Sequence, residues 1–144
     1  MELLNLYIAE FRALHVNRTG GRVAPHKPVL LLSIIDLVES GHIYSNKVYL
    51  DDVLQKHFKE TWKRHVKKDS PFRCSITYPF YHLSGDKFWH LIPSYEYVEQ
   101  REYTSIISLQ KNFSCAEIDQ DLIDVLKDSY ARKILREELI KGYL

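Results

Sequence analysis

The chain has 144 residues, 45% of them hydrophobic and 27% charged, with a formal net charge of +1. That is the length of one domain with apolar material for a core, which excludes disordered, collagen-like and coiled-coil classes. No apolar run reaches the ~18 residues that span a bilayer, and no export signal opens the sequence. A cytoplasmic protein with reduced Cys74 and Cys115 and no membrane partner is therefore expected.

Leu3, Leu4, Tyr7, Ile8, Phe11 and Leu14 recur at the helical period and predict a first helix that ends before Gly20-Gly21. A loop over 17–27 follows. Pro28 fits the first position of a second helix, where its missing N–H is not needed. The run Val29 to Ser40 is apolar nearly all round and predicts a buried central helix closed by Gly41. Ile43 to Leu50 predicts a short strand or an extended link. Asp51 is placed to cap a third helix with an apolar stripe of Val53, Leu54, Phe58 and Trp62.

Past Ser70-Pro71 the pattern changes. Stretches rich in aromatic and β-branched residues flank Ser84-Gly85-Asp86 and predict a hairpin, Ile76 to Leu83 paired with Lys87 to Ile92. Pro79 cannot donate to a ladder and so belongs at an edge, a bulge or a strand end. Thr104 or Ser105 is placed to cap a short helix, Asp119 another and Ser129 a last one. The expected fold is a single α+β domain over residues 1–144, α-rich with a small antiparallel β-hairpin.

Charge is polarised along the chain. Residues 1–73 carry 12 Lys/Arg against 8 Asp/Glu, and residues 74–144 carry 8 against 11. Lys56, Lys59, Lys63, Arg64, Lys67, Lys68 and Arg73 are crowded into a short span with only Glu60 and Asp69 among them. Such a run suits a polyanionic partner, or it is a solvated helix face; charge alone leaves both open.

Enzyme motifs are absent: there is no Walker loop, no dinucleotide fingerprint, no nucleophile elbow and no His-Glu-x-x-His. His57 and His65 lie about two helical turns apart, too far to share an ion. The pair His82 and His90 depends on the register of the expected hairpin. No metal or cofactor is expected.

Two stretches are harder to read as scaffold. Arg22-Val23-Ala24-Pro25-His26-Lys27-Pro28 puts a His-Lys pair between two prolines at a helix start. It is either an anion site or a plain loop-to-helix junction with exposed charges. Tyr78-Pro79 sets an apolar ring where no ladder bond forms. It is either a small dry surface or a strand edge blocked by proline.

Together, Ala24-Pro25-His26-Lys27-Pro28-Val29-Leu30-Leu31-Leu32, Tyr78-Pro79-Phe80 with Leu83, and Phe88-Trp89 with Leu91 resemble the sulfur-binding domain of bacterial type IV, modification-dependent restriction endonucleases. The resemblance covers the chain from the first helix to Pro93. It implies a non-enzymatic reader of double-stranded DNA in which sulfur replaces a non-bridging backbone oxygen. In that family the domain usually precedes a nuclease domain, so a fused or associated nuclease is implied as partner.

By resemblance, His26, Lys27, Tyr78 and Pro79 form the sulfur pocket, with His82 lining it from the same strand. Lys27 stands where an arginine is usual, which exchanges a planar fork for a point charge. A phosphorothioate keeps its negative charge, but sulfur is larger and less strongly hydrated than oxygen. A selective site therefore joins cations to an apolar wall. On this reading Arg22, Lys63, Arg64, Lys67 and Lys68 touch phosphates, while Arg73, Ser75 and Arg101 read bases. The competing expectations are a helix-turn-helix or winged-helix binder without sulfur selectivity, and a small metal-dependent nuclease. The latter needs a carboxylate cluster that the sequence lacks.

Overall fold

The computed structural model describes residues 2–144. Helix α1 (Glu2–Arg12) buries Leu4, Tyr7 and Phe11 along one face, as its period predicts. Gly20 and Gly21, expected only to follow the first helix and open a loop, do more than that. With φ of +58° and +78° they form the two-residue turn of a hairpin, β1 (Arg18–Thr19) with β2 (Arg22–Val23). Both turn positions need the left-handed region that glycine adopts without penalty.

Helix α2 (His26–Glu39) is the central element, with Val29, Leu30, Ile34 and Ile35 almost fully buried. Each such side chain stabilises the fold by about 1.5–3 kcal/mol relative to exposure. The helix begins two residues earlier than expected, so Pro28 is its third residue and not its first. Gly41, at φ +86°, follows its C-terminus as anticipated. Strand β3 (Lys47–Val48) is the short strand of the following link. Helix α3 (Asp52–His65) is capped by Asp51, whose carboxylate accepts the Leu54 N–H at 2.8 Å. Leu54, Phe58 and Trp62 are buried; Val53 is exposed and does not belong to the stripe.

The expected hairpin at 76–92 is not there. Thr77–His82 is a helix, α4, continued by a 3-10 turn at Leu83–Gly85, and only the second half is a strand, β4 (Trp89–Pro93). Aromatic and β-branched residues mimic a strand in so short a run, which periodicity cannot separate from a buried helical turn. Pro79, read as a strand-edge residue, is the third residue of α4. There its nitrogen needs no hydrogen bond, because the first intrahelical bond runs from Phe80 N–H to Ile76 C=O at 3.0 Å.

Helix α5 (Ile106–Asn112) is capped by Ser105 through the Ser108 N–H. Strand β5 (Phe113–Ile118) then supplies the partner that β4 lacks locally. The sheet order is β3-β5-β4, antiparallel throughout, with Trp89 opposite Ile118 and Leu91 opposite Ala116. Helices α6 (Gln120–Leu126) and α7 (Ser129–Tyr143) finish the chain. Asp119 occupies the cap position of α6, but its carboxylate instead accepts from Tyr7 Oη and pairs with His90 Nε2, both at 2.9 Å. Asp128, not Ser129, caps α7.

The class is α+β and α-rich, with two small antiparallel sheets. Helix α2 packs against α3, α4, α6 and α7. This leaves the start of α2, the end of α3, the start of α4 and the β1-β2 hairpin grouped at one side of the core.

Candidate nucleic-acid interface

His26 opens α2, and its ring stands among others from three separate elements. Ring centroids lie 4.8 Å from Trp62 in α3, 5.9 Å from Phe72 in the α3–α4 loop and 5.3 Å from Tyr78 in α4. One helical turn after Tyr78, the His82 ring is 4.5 Å from it. The α-helical course of 77–82 is what lays Tyr78 and His82 side by side, at i and i+4.

Burial pushes the His26 imidazole below its ordinary pKa, an effect partly offset by its bond to the Arg73 carbonyl at 2.7 Å. A carbonyl only accepts, so Nε2 carries the proton and donates it. Nδ1 is buried and has no partner among the described residues. His26 is thus a neutral aromatic member of the wall, and not the cationic donor that a histidine at a helix start suggests.

Tyr78 Oη accepts a hydrogen bond from the Asn17 amide at the foot of the hairpin. Burial, with Glu102 nearby, raises its pKa, against a smaller lowering by the Asn17 bond. His82 Nε2 lies 3.1 Å from Glu102, so an acid borders the outer end of the wall. Pro79 is buried in the first turn of α4, and the accessible part of the wall is carried by the rings beside it.

Lys27 is placed differently from the expectation. Its side chain points into the protein, where Nζ donates to Asp86 Oδ2 at 2.7 Å and to the His15 carbonyl at 2.6 Å. Only 6% of the side chain is exposed. The Lys27 ammonium answers both acceptors as a point charge. Its charge is neutralised beneath the wall, so it is not a ligand-facing cation.

The cations form the rim. Lys63 and Arg64 lie in the last turn of α3, where they also complement the helix dipole, and Lys67 and Lys68 follow in the next turn. These four and Arg73 are exposed and have no carboxylate within ion-pair distance among the described residues. Arg22 on β2 reaches toward Asp69, 3.4 Å from its carbonyl and 4.0 Å from its carboxylate. A groove of about 370 Å³ runs between them, lined by Arg22, His65, Lys67 and Phe72. Ser75 precedes α4 and shares a hydrogen bond with Thr77 at 2.9 Å. Arg101 is stacked 4.3 Å over the Tyr103 ring, bonded to Ser108 Oγ at 3.2 Å and 3.8 Å from the Glu99 carboxylate.

Sequence reasoning missed Trp62 and Phe72 as neighbours of the His26 ring and Asn17 as the partner of Tyr78. Trp62 reads as plain core from its helical spacing, and nothing local ties Asn17 to a tyrosine sixty residues away. Among the described residues no three His, Cys, Asp or Glu side chains gather where a metal ion would bind. No described helix is long and apolar enough to cross a membrane.

No family model matches the sequence, and no curated protein is similar to it in sequence. Among solved structures, the sulfur binding domain of ScoMcrA, determined in complex with phosphorothioated DNA, aligns with a TM-score of 0.71. The alignment has 18% identity and covers 95% of this chain and 86% of that one. The chain has the fold of a sulfur-binding domain. In this sulfur-binding-domain fold, the long-range similarity extends well beyond the residues up to Pro93 on which the sequence resemblance rests.

Proposed function

We propose that the domain binds double-stranded DNA carrying a backbone phosphorothioate, as the recognition module of a modification-dependent restriction system. The observation that carries this reading is the neutral ring cluster of His26, Trp62, Phe72 and Tyr78 bordered by unpaired cations, on the fold of a sulfur-binding domain.

The division of labour follows from the chemistry of the linkage. Sulfur sheds water more readily than oxygen and gains dispersion contact against the rings of Tyr78, His26 and His82, with buried Pro79 supporting the turn that presents them. The remaining negative charge is met by Arg22, Lys63, Arg64, Lys67 and Lys68 in the rim, which position the duplex without reading sequence. Arg73 and Ser75, at the edge of the wall, are placed to reach base edges, with Arg101 as an outlying contact. The domain itself binds and does not cleave. Strand scission belongs to a separate nuclease, fused or associated, and the setting is the bacterial cytoplasm.

The test is a pair of anisotropy titrations with duplexes that differ only in one sulfur and its stereochemistry. One stereoisomer is expected to bind at least ~100-fold more tightly than plain DNA, since one well-buried apolar group is worth about 2.7 kcal/mol. Equal binding to all duplexes overturns the reading.

A further inference from the structure

We propose that Asp86 is a positioning residue of this interface: it holds the arm formed by residues 15–23 against Tyr78, through Lys27 and the backbone of His15. The inference rests on the reading of the Tyr78 wall as the DNA-binding surface.

Asp86 lies just before β4, and only 3% of its side chain is exposed. A buried carboxylate needs every lone pair answered. Here Oδ2 takes the Lys27 ammonium at 2.7 Å, and Oδ1 takes the His15 backbone N–H at 3.0 Å with the His15 ring nitrogen 3.3 Å away. Lys27 Nζ in turn donates to the His15 carbonyl at 2.6 Å. Both backbone groups of one loop residue are thus clamped by a single buried ion pair. Among the described residues His15 has no other anchor of this kind, and its side chain is 78% exposed.

Two residues further on, the clamp reaches the wall. The Asn17 carbonyl accepts the Ala24 N–H at 2.8 Å, which closes the foot of the β1-β2 hairpin, and the Asn17 amide donates to Tyr78 Oη. The hairpin beyond carries Arg18 and Arg22. Asp86 touches none of these groups, yet it fixes the segment from which they extend. A local structural role would require no such route, because Asp86 could be neutralised by Lys27 alone. The paired capture of the His15 N–H and C=O is what turns an ion pair into a register setting.

The single change Asp86→Asn leaves the Lys27 ammonium buried without a countercharge and risks the fold. The informative protein is therefore the double variant Lys27→Met, Asp86→Asn, which is uncharged at this point and removes the donor to the His15 carbonyl. It is expected to melt cooperatively and to keep slow amide exchange in α2 and β5, while amides 16–23 exchange faster. Its affinity for the phosphorothioate duplex should fall about tenfold, as misplacement of a supported site does. Asn17→Ala should weaken binding in the parent protein and add little in the double variant, since both act along one route. Unchanged exchange at 16–23 overturns the proposal, as does additive loss from Asn17→Ala. So does full affinity with a loosened arm. Exchange is read without DNA, so equal binding of plain and modified duplexes by the parent protein would count against the sulfur reading and leave the clamp to be judged separately.

Discussion

Pro28 and Pro79 hold the same place in two different helices. Each is the third residue of its helix, and in each case the next residue makes the first intrahelical bond: Val29 N–H to Pro25 C=O at 2.9 Å, and Phe80 N–H to Ile76 C=O at 3.0 Å. At these positions a helix offers the nitrogen no backbone acceptor four residues back, and neither α2 nor α4 has a side-chain cap that calls for an N–H there, so proline is free to stiffen the two turns that present His26 and Tyr78.

Pro79→Ala tests the stiffened turn. The helix keeps all its hydrogen bonds, and stability should drop by only about 1–2 kcal/mol, from a freer unfolded chain and lost packing. Affinity for phosphorothioate DNA should fall while the weak affinity for plain DNA stays. Circular dichroism and paired titrations check this, and a folded variant with undiminished sulfur preference would contradict it.

Lys63→Ala separates charge from the wall. Log affinity should fall with log salt by about 0.9 per phosphate contact, and this change should remove roughly one contact from that slope. The ratio of modified to plain binding should stay the same. Titrations at several salt concentrations give both quantities, and loss of the ratio would move Lys63 into the pocket.

Acid should weaken the fold through His26 and His65, both held below the ordinary imidazole pKa of 6.5 chiefly by burial. The unfolded chain then takes up protons that the folded chain refuses. Stability is therefore full above about pH 6.5 and declines as pH falls through that value toward the lower folded pKa. Urea unfolding at pH 7.5 and 5.5, with the His26 ring followed by NMR, measures it. A His26 midpoint above 6.5 would refute the neutral-ring assignment.

Asp51→Ala removes the cap of the helix that carries Lys63 and Arg64. The Leu54 N–H loses its acceptor, and so does His42, 2.9 Å from the same carboxylate. A loss of about 1 kcal/mol in denaturant unfolding is expected. A change well under half that size would mean water replaces the cap.

The three early helices were legible because their signals are local. Leu4, Tyr7 and Phe11 show the period of α1, Gly41 marks the stop of α2, and Asp51 marks the start of α3. What failed was non-local. Ile76 to Leu83 looks like a strand by composition, whereas Thr77–His82 is a helix packed against α2. Strand β5 was invisible because its partners, β3 and β4, come from distant parts of the chain. At the site, His26 and Tyr78 were legible as residues set in unusual proline contexts. The inward turn of Lys27 was not, because Asp86 reads as an ordinary turn residue until the fold brings it there.

The sheet order β3-β5-β4 puts the latest strand in the middle, and α7 then returns to α1, where Tyr143 Oη donates to the Phe11 carbonyl at 2.6 Å and accepts the Leu14 N–H at 3.1 Å. During synthesis, then, the segments bearing His26 and Tyr78 emerge long before the pieces that lock them. A nascent chain halted after Pro93 has β4 and β3 without their common neighbour and an apolar α1 face without its cover. Loop closure between such remote segments comes late and slowly. Competence to bind should therefore arrive in one step with the final helix, so that no shortened fragment from the N-terminal side acts as a weaker reader.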